Sequence, residues 1–362
     1  MPCSAWLFSG LLLVSCWPVA ADILYSVTDL GSLGGTAYYT RGYGINNAGQ
    51  ATGYTGNAFG CCHPFLYTNG QMQDLGSLGG SGFGFGVNDL GEVTGESRVP
   101  SGPGHVFVYN DGHMTDIVPP NTNFSRGYSI NDAGQVTGFI SVPGFDGAFL
   151  YSGGQIIPLD TLGAPAYLGG SGYGINNAGQ VTGFGYTSDR LPHAFLYSNG
   201  QMEDLGTLSG TSGSSYGYAI NDAGEITGTS NSHVFLYRDG RMSDLGTLGS
   251  FSEGRAINNV GEIVGDFRST SNVIFPYEAA FVYRDGRMYD LNDLIDPALG
   301  LTLNEATAIN DRGQIVVNEL INSTASRSFL LTPVPEPGTL VLFLIAVSSL
   351  AASLRHTWPA SY

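Results

Sequence analysis

The sequence contains no lysine, and all 13 of its basic residues are arginine. Aspartate and glutamate together number 30, which gives a formal net charge of −17. A protein that binds nucleic acid needs basic patches to neutralise the phosphate backbone, so this composition argues against a nucleic-acid partner. The acidic balance instead favours solubility through self-repulsion.

Cysteine is also scarce, with four residues in the whole chain. Cys3 and Cys16 lie near the N-terminus, while Cys61 and Cys62 are adjacent in the body. Without a Cys-x-x-Cys motif or a His/Cys cluster, the sequence predicts neither a disulfide framework nor a metal site. Adjacent cysteines rarely bridge each other without strain, so we interpret Cys61 and Cys62 as a loop pair. No His-Glu-x-x-His motif or P-loop occurs, and we expect no cofactor and no catalytic residue.

One short motif, Ile-Asn-(Asn or Asp)-x-Gly, recurs at intervals of 37 to 52 residues. It begins at Ile45, Val87, Ile130, Ile175, Ile220, Ile257 and Ile309. A period of this length, in a chain rich in glycine and aromatic residues, is typical of a β-propeller array. The repeat therefore predicts one all-β domain, covering residues 22–333.

The clearest repeat unit, residues 172–206, predicts four short strands. They cover residues 173–176, 180–184, 193–197 and 201–206. Asn199 and Gly200 predict the tight turn of a β-hairpin between the last two strands. Small residues in the first strand suit a position near the axis, where blades converge. In this unit the first strand, residues 173–176, ends just before the turn that the recurring motif forms. Four strands in a meander form one propeller blade.

The two ends of the predicted domain complement each other. The seventh unit has three predicted strands (residues 306–310, 314–318 and 326–331) and no fourth. Residues 25–33, at the start of the domain, match the fourth strand of other units. We therefore predict that this N-terminal strand pairs with the last blade and closes a seven-bladed propeller of four-stranded antiparallel blades, which removes open sheet edges.

The repeat unit resembles the HAF repeat of bacterial extracellular proteins, named for the sequence seen here at His193-Ala194-Phe195. Variants begin at His63, His105 and His233, and blades three and six lack the histidine. The resemblance covers roughly residues 25–331 and implies repeated blades; it carries no firmly attached activity.

Both termini resemble targeting signals. Residues 1–21 resemble a signal peptide, because an apolar run precedes Val19-Ala20-Ala21, a small-residue cleavage site for signal peptidase, which is an expected partner. A lipobox ending at Cys16 is the alternative. Residues 334–362 resemble a PEP-CTERM sorting signal, with Pro335, Glu336 and Pro337 followed by an apolar stretch and a short basic end. The resemblance implies processing by an exosortase-type protease. We expect a short hydrophobic helix at each terminus, the second one a transmembrane helix.

Recurring histidines and aspartates have structural interpretations. Histidines on separate blades would lie too far apart for one metal ion, so we expect each to hydrogen-bond a neighbouring loop. The aspartate of Asp-Leu-Gly and the Asn-Asp pairs of the motif are expected to form turns. Neither set predicts a metal site.

Residues outside the repeat pattern are better candidates for function. We expect the loops between the fourth strand of one blade and the first strand of the next to form a binding face. The candidate residues there are Tyr38, Tyr39, Arg41, Phe83, Phe124, Arg126, Tyr216, Phe251, Glu253, Arg255 and Glu305. Their rings and charges suit sugars, although they could equally fill gaps between blades.

These observations predict an exported, monomeric, non-enzymatic protein at the cell surface or outside the cell. It would be anchored, transiently or permanently, through the C-terminal helix. The PEP-CTERM resemblance implies an exopolysaccharide-producing, biofilm-forming bacterium, so the expected role is to bind or scaffold exopolysaccharide or a surface protein in a biofilm matrix. One alternative is a polysaccharide hydrolase or lyase, with Glu253, Arg255 and Glu305 as the first residues to inspect; another is a protein–protein interaction module.

Overall fold

The computed structural model describes residues 5–8, 11–14, 24–34, 39–57, 60–165, 168–210, 212–268, 278–322 and 325–334. Within these ranges the chain is almost entirely β-structure, with two short 3-10 helices, Leu291–Leu294 and Pro297–Leu299. No helix in these ranges is long and apolar enough to cross a membrane. Tyr38, the Pro335–Pro337 motif and the expected C-terminal helix lie outside the described residues.

The N-terminal apolar segment differs from the expected helix. Its described residues form two strands, β1 (Ala5–Phe8) and β2 (Leu11–Val14), paired as an antiparallel hairpin. The prediction of a helix here is wrong for these residues. A short apolar run has no periodicity that distinguishes helix from strand, so the sequence alone could not decide.

Seven four-stranded antiparallel sheets form the blades. Blade 1 contains β4 (Thr40–Ile45), β5 (Ala51–Asn57), β6 (Gly60–Thr68) and β7 (Gln71–Asp74). Blade 2 contains β8 (Gly82–Val87), β9 (Val93–Arg98), β10 (Gly104–Asn110) and β11 (His113–Asp116). Blade 3 contains β12 (Phe124–Ile130), β13 (Val136–Val142), β14 (Phe145–Ser152) and β15 (Gln155–Pro158). Blade 4 contains β16 (Ser171–Ile175), β17 (Val181–Tyr186), β18 (Pro192–Ser198) and β19 (Gln201–Asp204). Blade 5 contains β20 (Ser215–Ile220), β21 (Ile226–Ser230), β22 (His233–Arg238) and β23 (Arg241–Gly246). Blade 6 contains β24 (Phe251–Ile257), β25 (Ile263–Arg268), β26 (Glu278–Arg284) and β27 (Arg287–Asp290).

Blade 7 is assembled from both ends of the domain. It contains β28 (Glu305–Ile309), β29 (Ile315–Asn322) and β30 (Ala325–Pro333), and its fourth strand is β3 (Tyr25–Asp29). Strands β3 and β30 are antiparallel, with a register that runs from Tyr25 opposite Pro333 to Asp29 opposite Phe329. The predicted closure by the N-terminal strand is confirmed.

The core lies between blades and is organised by the third strands. Each third strand contributes one phenylalanine, the third residue of the His-Ala-Phe pattern. These residues are Phe65, Phe107, Phe149, Phe195, Phe235, Phe281 and Phe329, all of them buried. Full burial of one phenylalanine contributes about 1.5–3 kcal/mol to the free energy of folding. This contribution explains why every unit has an apolar residue at this position.

Two hydrogen-bonded rings join the blades at the motif. The first asparagine of each motif donates from Nδ2 to the backbone carbonyl of its counterpart in the next blade at 2.8–3.1 Å, and the series closes from Asn310 to Asn46. The third residue of each motif, Asn or Asp, accepts through Oδ1 a backbone N–H from the preceding blade at 2.7–3.0 Å. The expected turn formers therefore also fasten the ring.

A β-bulge interrupts every first strand at the same place. In blade 4 the register shifts between Gly172 and Gly174, so Tyr173 is the extra residue, and the other six blades repeat this shift. Bulges redirect side chains next to functional sites. Gly183 of β17 lies opposite Gly172, and a Cβ there would overlap the carbonyl oxygen of Ser171.

The Gly183 position predicts a strong effect of adding one methyl group. We expect Gly183→Ala to lower the free energy of unfolding by about 1–3 kcal/mol or more, because backbone atoms cannot move aside as a flexible side chain could. Chemical denaturation measures the change. Gly200→Ala is the control, because no heavy atom lies within 4 Å of its Cβ and the cost there comes from φ +81° alone. Equal effects would contradict the close approach at the bulge.

Candidate functional site

The bulged residues of the seven first strands face the propeller axis. In blade order they are Tyr43, Phe85, Tyr128, Tyr173, Tyr218, Arg255 and Thr307. Together with Arg41 and Glu305 they line a cavity of ≈ 290 Å³. We call this cavity the axial mouth. Its residues come from all seven blades, and the bulge explains why so many large side chains converge there.

The axis continues below the axial mouth. A second cavity of ≈ 190 Å³ lies between the bulged residues and a ring formed by the first residues of the seven motifs, six isoleucines and Val87. Beyond that ring a third cavity of ≈ 160 Å³ is lined by the Asn and Asp residues of the motifs. The axis is therefore aromatic at one end, aliphatic in the middle and polar at the other end.

Five blades contribute an unbroken aromatic arc to the axial mouth. Centroids of neighbouring rings lie 5.2 Å apart for Tyr43 and Phe85, and 5.7 Å apart for Phe85 and Tyr128. The series continues at 5.1 Å to Tyr173 and 5.4 Å to Tyr218. These separations fall within the range in which aromatic pairs stabilise each other, so the arc is a continuous surface of ring faces and edges.

Residues of blades 1, 6 and 7 form a polar sector that completes the axial mouth beside the arc. Arg41 Nη2 lies 3.1 Å from both carboxylate oxygens of Glu305. Arg255 Nε donates to the buried carboxylate of Asp266, and its Nη2 lies 3.1 Å from Glu253 Oε2. Both guanidinium groups thus have carboxylate partners. The buried Nε of Arg41 has no hydrogen-bond partner among the described residues.

Burial shifts the titration of the groups around the axial mouth. It raises the pKa of the Tyr173 and Tyr218 hydroxyls, which therefore stay protonated. The Tyr218 hydroxyl donates to Glu253 Oε1 at 3.3 Å. Burial also raises the pKa of Glu253, although Arg255 lowers it in part. For Arg255, burial alone would lower the pKa, but the carboxylates of Asp266 and Glu253 outweigh it and the pKa is raised.

Glu253 predicts a specific pH dependence of stability. Because burial raises the pKa of folded Glu253 above its usual value, the folded state binds more protons than the unfolded state at pH values between the unfolded and the folded pKa. Stability from this group is therefore lost as pH rises from the unfolded to the folded pKa. We expect Glu253→Gln to flatten the fall in unfolding free energy over that window, as measured by denaturation at a series of pH values. An unchanged slope would contradict the raised pKa.

The candidate residues predicted from sequence lie in first strands, and the expectation that they occupy loops is wrong for nine of them. These are Arg41, Phe83, Phe124, Arg126, Tyr216, Phe251, Glu253, Arg255 and Glu305. Tyr39 lies just before β4 and forms an isolated bridge to Ser326. The first strands begin earlier in the chain than the sequence predicted, so these residues belong to strands where loops were expected.

The structure brings only some of these candidates together. Arg41, Arg255 and Glu305 line the axial mouth, and Glu253 adjoins it. Phe83 and Tyr216 stack behind the arc on Phe85 and Tyr218. The guanidinium of Arg126 lies over three rings, those of Phe85, Phe124 and Tyr128, and also pairs with Glu96. Phe251 lies apart beneath Arg268, and Tyr39 contacts Tyr54.

Sequence reasoning missed the aromatic arc itself. Its members follow the repeat, whereas the candidates were chosen among residues outside the repeat pattern. The signal that could have found them is an aromatic residue two positions before each motif in blades 1 to 5. Blades 6 and 7 replace that aromatic with Arg255 and Thr307, which marks the position as different from ordinary core.

The repeated histidines pair with the repeated aspartates. His193 Nδ1 lies 2.9 Å from Asp204 Oδ1 across β18 and β19, and the same pair recurs in three other blades. The expected loop partner is therefore wrong: the partner is an aspartate on the fourth strand. The expected turn role of the aspartate is confirmed, since Asp204 Oδ1 also accepts the Gly206 N–H at 2.8 Å.

Metal and nucleophile chemistry find little support in the described ranges. No group of three or more His, Cys, Asp or Glu side chains there could hold a metal ion. Residues 213–217 read Gly-Ser-Ser-Tyr-Gly and fit the Gly-x-Ser-x-Gly pattern of serine nucleophiles. The central serine, Ser215, is fully buried, and its hydroxyl accepts a hydrogen bond from Ala194 N and donates one to Gly206 O. A serine held in this way cannot attack a substrate. Cys62, interpreted above as part of a loop pair, is disulfide-bonded.

Comparison with known proteins finds solved structures of low similarity. No protein-family model and no curated protein matches the chain. Among solved structures, the β-propeller domain of the Trilobed protease from Pyrococcus furiosus is 10% identical, with a TM-score of 0.38, and the match covers 73% of this chain and 98% of that one. A mutant of AofleA from Arthrobotrys oligospora is also 10% identical, with a TM-score of 0.34, covering 74% of this chain and 89% of that one. A puromycin-hydrolyzing peptidase of Mycobacterium tuberculosis is 12% identical, with a TM-score of 0.36, covering 67% of this chain and 43% of that one.

Proposed function

We propose that this propeller is an exported, non-enzymatic glycan-binding protein that serves as a scaffold in an extracellular polysaccharide matrix. One observation carries the proposal: five aromatic side chains and two paired arginines converge on one cavity of ≈ 290 Å³ at the axial mouth. Export and sorting to the cell surface rest on the resemblance of residues 1–21 and 334–362 to targeting signals.

The chemistry of the axial mouth suits a sugar. A sugar ring has an apolar face of C–H groups, which packs on aromatic rings, and a rim of hydroxyl groups that needs both donors and acceptors. The arc provides the rings. The Arg41–Glu305 pair provides a donor and an acceptor side by side, and the Tyr173 hydroxyl, kept protonated by burial, adds a further donor.

The surrounding structure makes the site rigid. Each member of the arc sits on a first strand whose neighbours are joined by the two hydrogen-bonded rings of the motifs. A pre-formed site spends little binding energy on ordering side chains. We therefore expect one static site on a fixed support, which suits a scaffold.

Binding to oligosaccharides tests the proposal directly. The purified chain is screened on a glycan array, and the dissociation constants of positive glycans are measured by calorimetry. We expect Tyr173→Ala to weaken binding at least about tenfold, since it removes a central ring of the arc. Tyr289→Ala on β27, outside the axial mouth, is the matched control and should bind normally. If no glycan binds, or both variants bind as the parent does, the proposal is wrong.

A polysaccharide-cleaving enzyme is the second candidate. The observation that favours it is the proximity of Glu253, whose pKa burial raises, to Tyr218 and Arg255. An acid of this kind could transfer a proton, as general acid–base catalysis requires. Incubation with the glycans that bind, followed by analysis of chain length, distinguishes the two. Cleavage that Glu253→Gln abolishes would establish the enzyme; intact glycans would support a binding protein.

A further inference from the structure

The position of the axial mouth restricts how a glycan can enter, if the proposed function holds. Side chains from every blade surround the cavity, so it is walled on all sides around the axis. From Arg41 at the rim to Ile45 at the aliphatic ring, the first strand spans four residues, roughly 13 Å. A long chain that lies across the propeller would pass over such a pit without filling it, whereas a chain end could enter along the axis.

The size of the axial mouth limits what can enter. Its ≈ 290 Å³ lies at the lower edge of the roughly 300–1,000 Å³ typical of small-molecule pockets. The cavity below it is smaller, ≈ 190 Å³, and its floor is the aliphatic ring of the motifs, which has no hydrogen-bonding side chains for sugar hydroxyls. Space and polarity therefore favour one terminal sugar residue, with the rest of the chain outside.

The charges around the axial mouth disfavour an acidic sugar. Arg41 faces Glu305, and Arg255 faces both Glu253 and Asp266. The Tyr218 hydroxyl donates a hydrogen bond to Glu253, and Glu278 adds a further negative charge near Glu253. Two cations thus face three carboxylates in direct contact with them, so the positive charge of each guanidinium is already balanced by a carboxylate. A negative ligand would be repelled, whereas an uncharged one keeps both ion pairs intact.

From this geometry we infer that the axial mouth recognises the uncharged terminal residue of a glycan, end on. The arc holds the face of the sugar ring, and the paired arginines and glutamate bind its hydroxyls. The number of protein molecules bound to a polysaccharide is then set by the number of chain ends and is independent of its mass. This places the protein at the ends of matrix polymers.

Length series of four neutral linear glycans test the inference: α-1,6-glucan, β-1,3-glucan, β-1,4-mannan and β-1,4-galactan. Calorimetry measures affinity and stoichiometry for each length. We expect the affinity for the glycan that binds to become constant beyond about two residues, and the number of sites per gram to fall as chains lengthen. A constant number of sites per gram, or equal binding of a cyclic glycan with the same linkage, would overturn end-on recognition while leaving glycan binding intact. If none of the four binds, the same length series is made for a neutral glycan that binds on the array; if the array finds none either, both the inference and the proposed function fail.

A second arm tests the charge argument. The same oligosaccharides are compared with forms that carry a carboxylate on either terminal residue, and we expect the carboxylate at the bound end to weaken binding at least tenfold. Glu253→Gln should reduce this discrimination several-fold. Glu203→Gln is the control, because Glu203 accepts a similar bond from the Tyr237 hydroxyl at 3.1 Å, away from the axis. Tighter binding of the acidic forms, or equal effects of the two variants, would overturn the inference.

Discussion

A chain that begins at Gly31 will not fold cooperatively, whereas a chain that begins at Asp22 will unfold in one transition like the full chain. The two differ by a short segment that contains strand β3 (Tyr25–Asp29). Removal of that strand leaves β30 as an open edge and deletes two almost fully buried side chains, Tyr25 at 2% and Leu30 at 3% exposure. Each such side chain contributes about 1.5–3 kcal/mol, and the strand's ladder of hydrogen bonds adds to this.

The expected loss is comparable with the whole stability of a typical domain, about 5–15 kcal/mol, so partial folding or aggregation through the free edge of β30 should follow. Circular dichroism with thermal and chemical denaturation measures cooperativity, and light scattering measures aggregation. The chain that begins at Asp22 is the control for loss of the N-terminal hairpin. Similar unfolding curves for the two truncated chains would show that β3 is dispensable for closure.

Asn176→Ala will have the largest effect of any single substitution in the recurring motif of blade 4. Its side chain is buried and makes four hydrogen bonds. Nδ2 donates to Asn221 O at 3.0 Å and to Gln180 Oε1 at 2.8 Å, while Oδ1 accepts from the backbone of Ala178 and Gln180. Alanine leaves these buried partners unsatisfied, so we expect a loss of about 2–4 kcal/mol of unfolding free energy.

The adjacent residue provides the matched control for this prediction. Asn177 is exposed, and its side chain bonds Asp132 N at 3.0 Å and Asp222 Oδ2 at 3.3 Å, where water can replace it. We expect Asn177→Ala to cost less than about 1 kcal/mol. Urea titrations of both variants measure the difference. Equal costs would mean that the inner ring of asparagines does not hold the blades together.

The architecture could be predicted well from the sequence because each blade repeats the same pattern of strands and turns. The hairpin turn at Asn199 and Gly200 needs positive φ at both positions, and both have it, at 53° and 81°. The closure followed from strand counting alone, since a unit without a fourth strand needs one from elsewhere. The N-terminal hairpin was not predictable, because a short apolar run is compatible with helix and strand.

The site was predicted only in part, for a reason that lies in the bulge. Regular alternation of side chains along a strand would place Tyr173 and Gly174 on opposite faces of the sheet. In the structure Tyr173 is the extra residue of the bulge, which directs its side chain towards the axis. Arg41, Arg255 and Glu305 were found because they break the repeat. The aromatic residues that complete the axial mouth recur at the same position of the repeat. Their periodicity therefore did not distinguish them from residues that the fold itself requires.

The closure of the ring by β3 is the central claim, and a disulfide between β3 and β30 tests it most directly. Ser26 and Thr332 are opposite each other in the register of these strands. In the full chain carrying Ser26→Cys and Thr332→Cys, we predict a spontaneous cross-link, identified by mass spectrometry of the linked peptides, with cooperative unfolding retained. The pair Ser26→Cys and Ser198→Cys, on different blades, should not cross-link. If residues 26 and 332 stay reduced in the folded protein, or if residue 26 links to residue 198 equally well, the ring is not closed in this way.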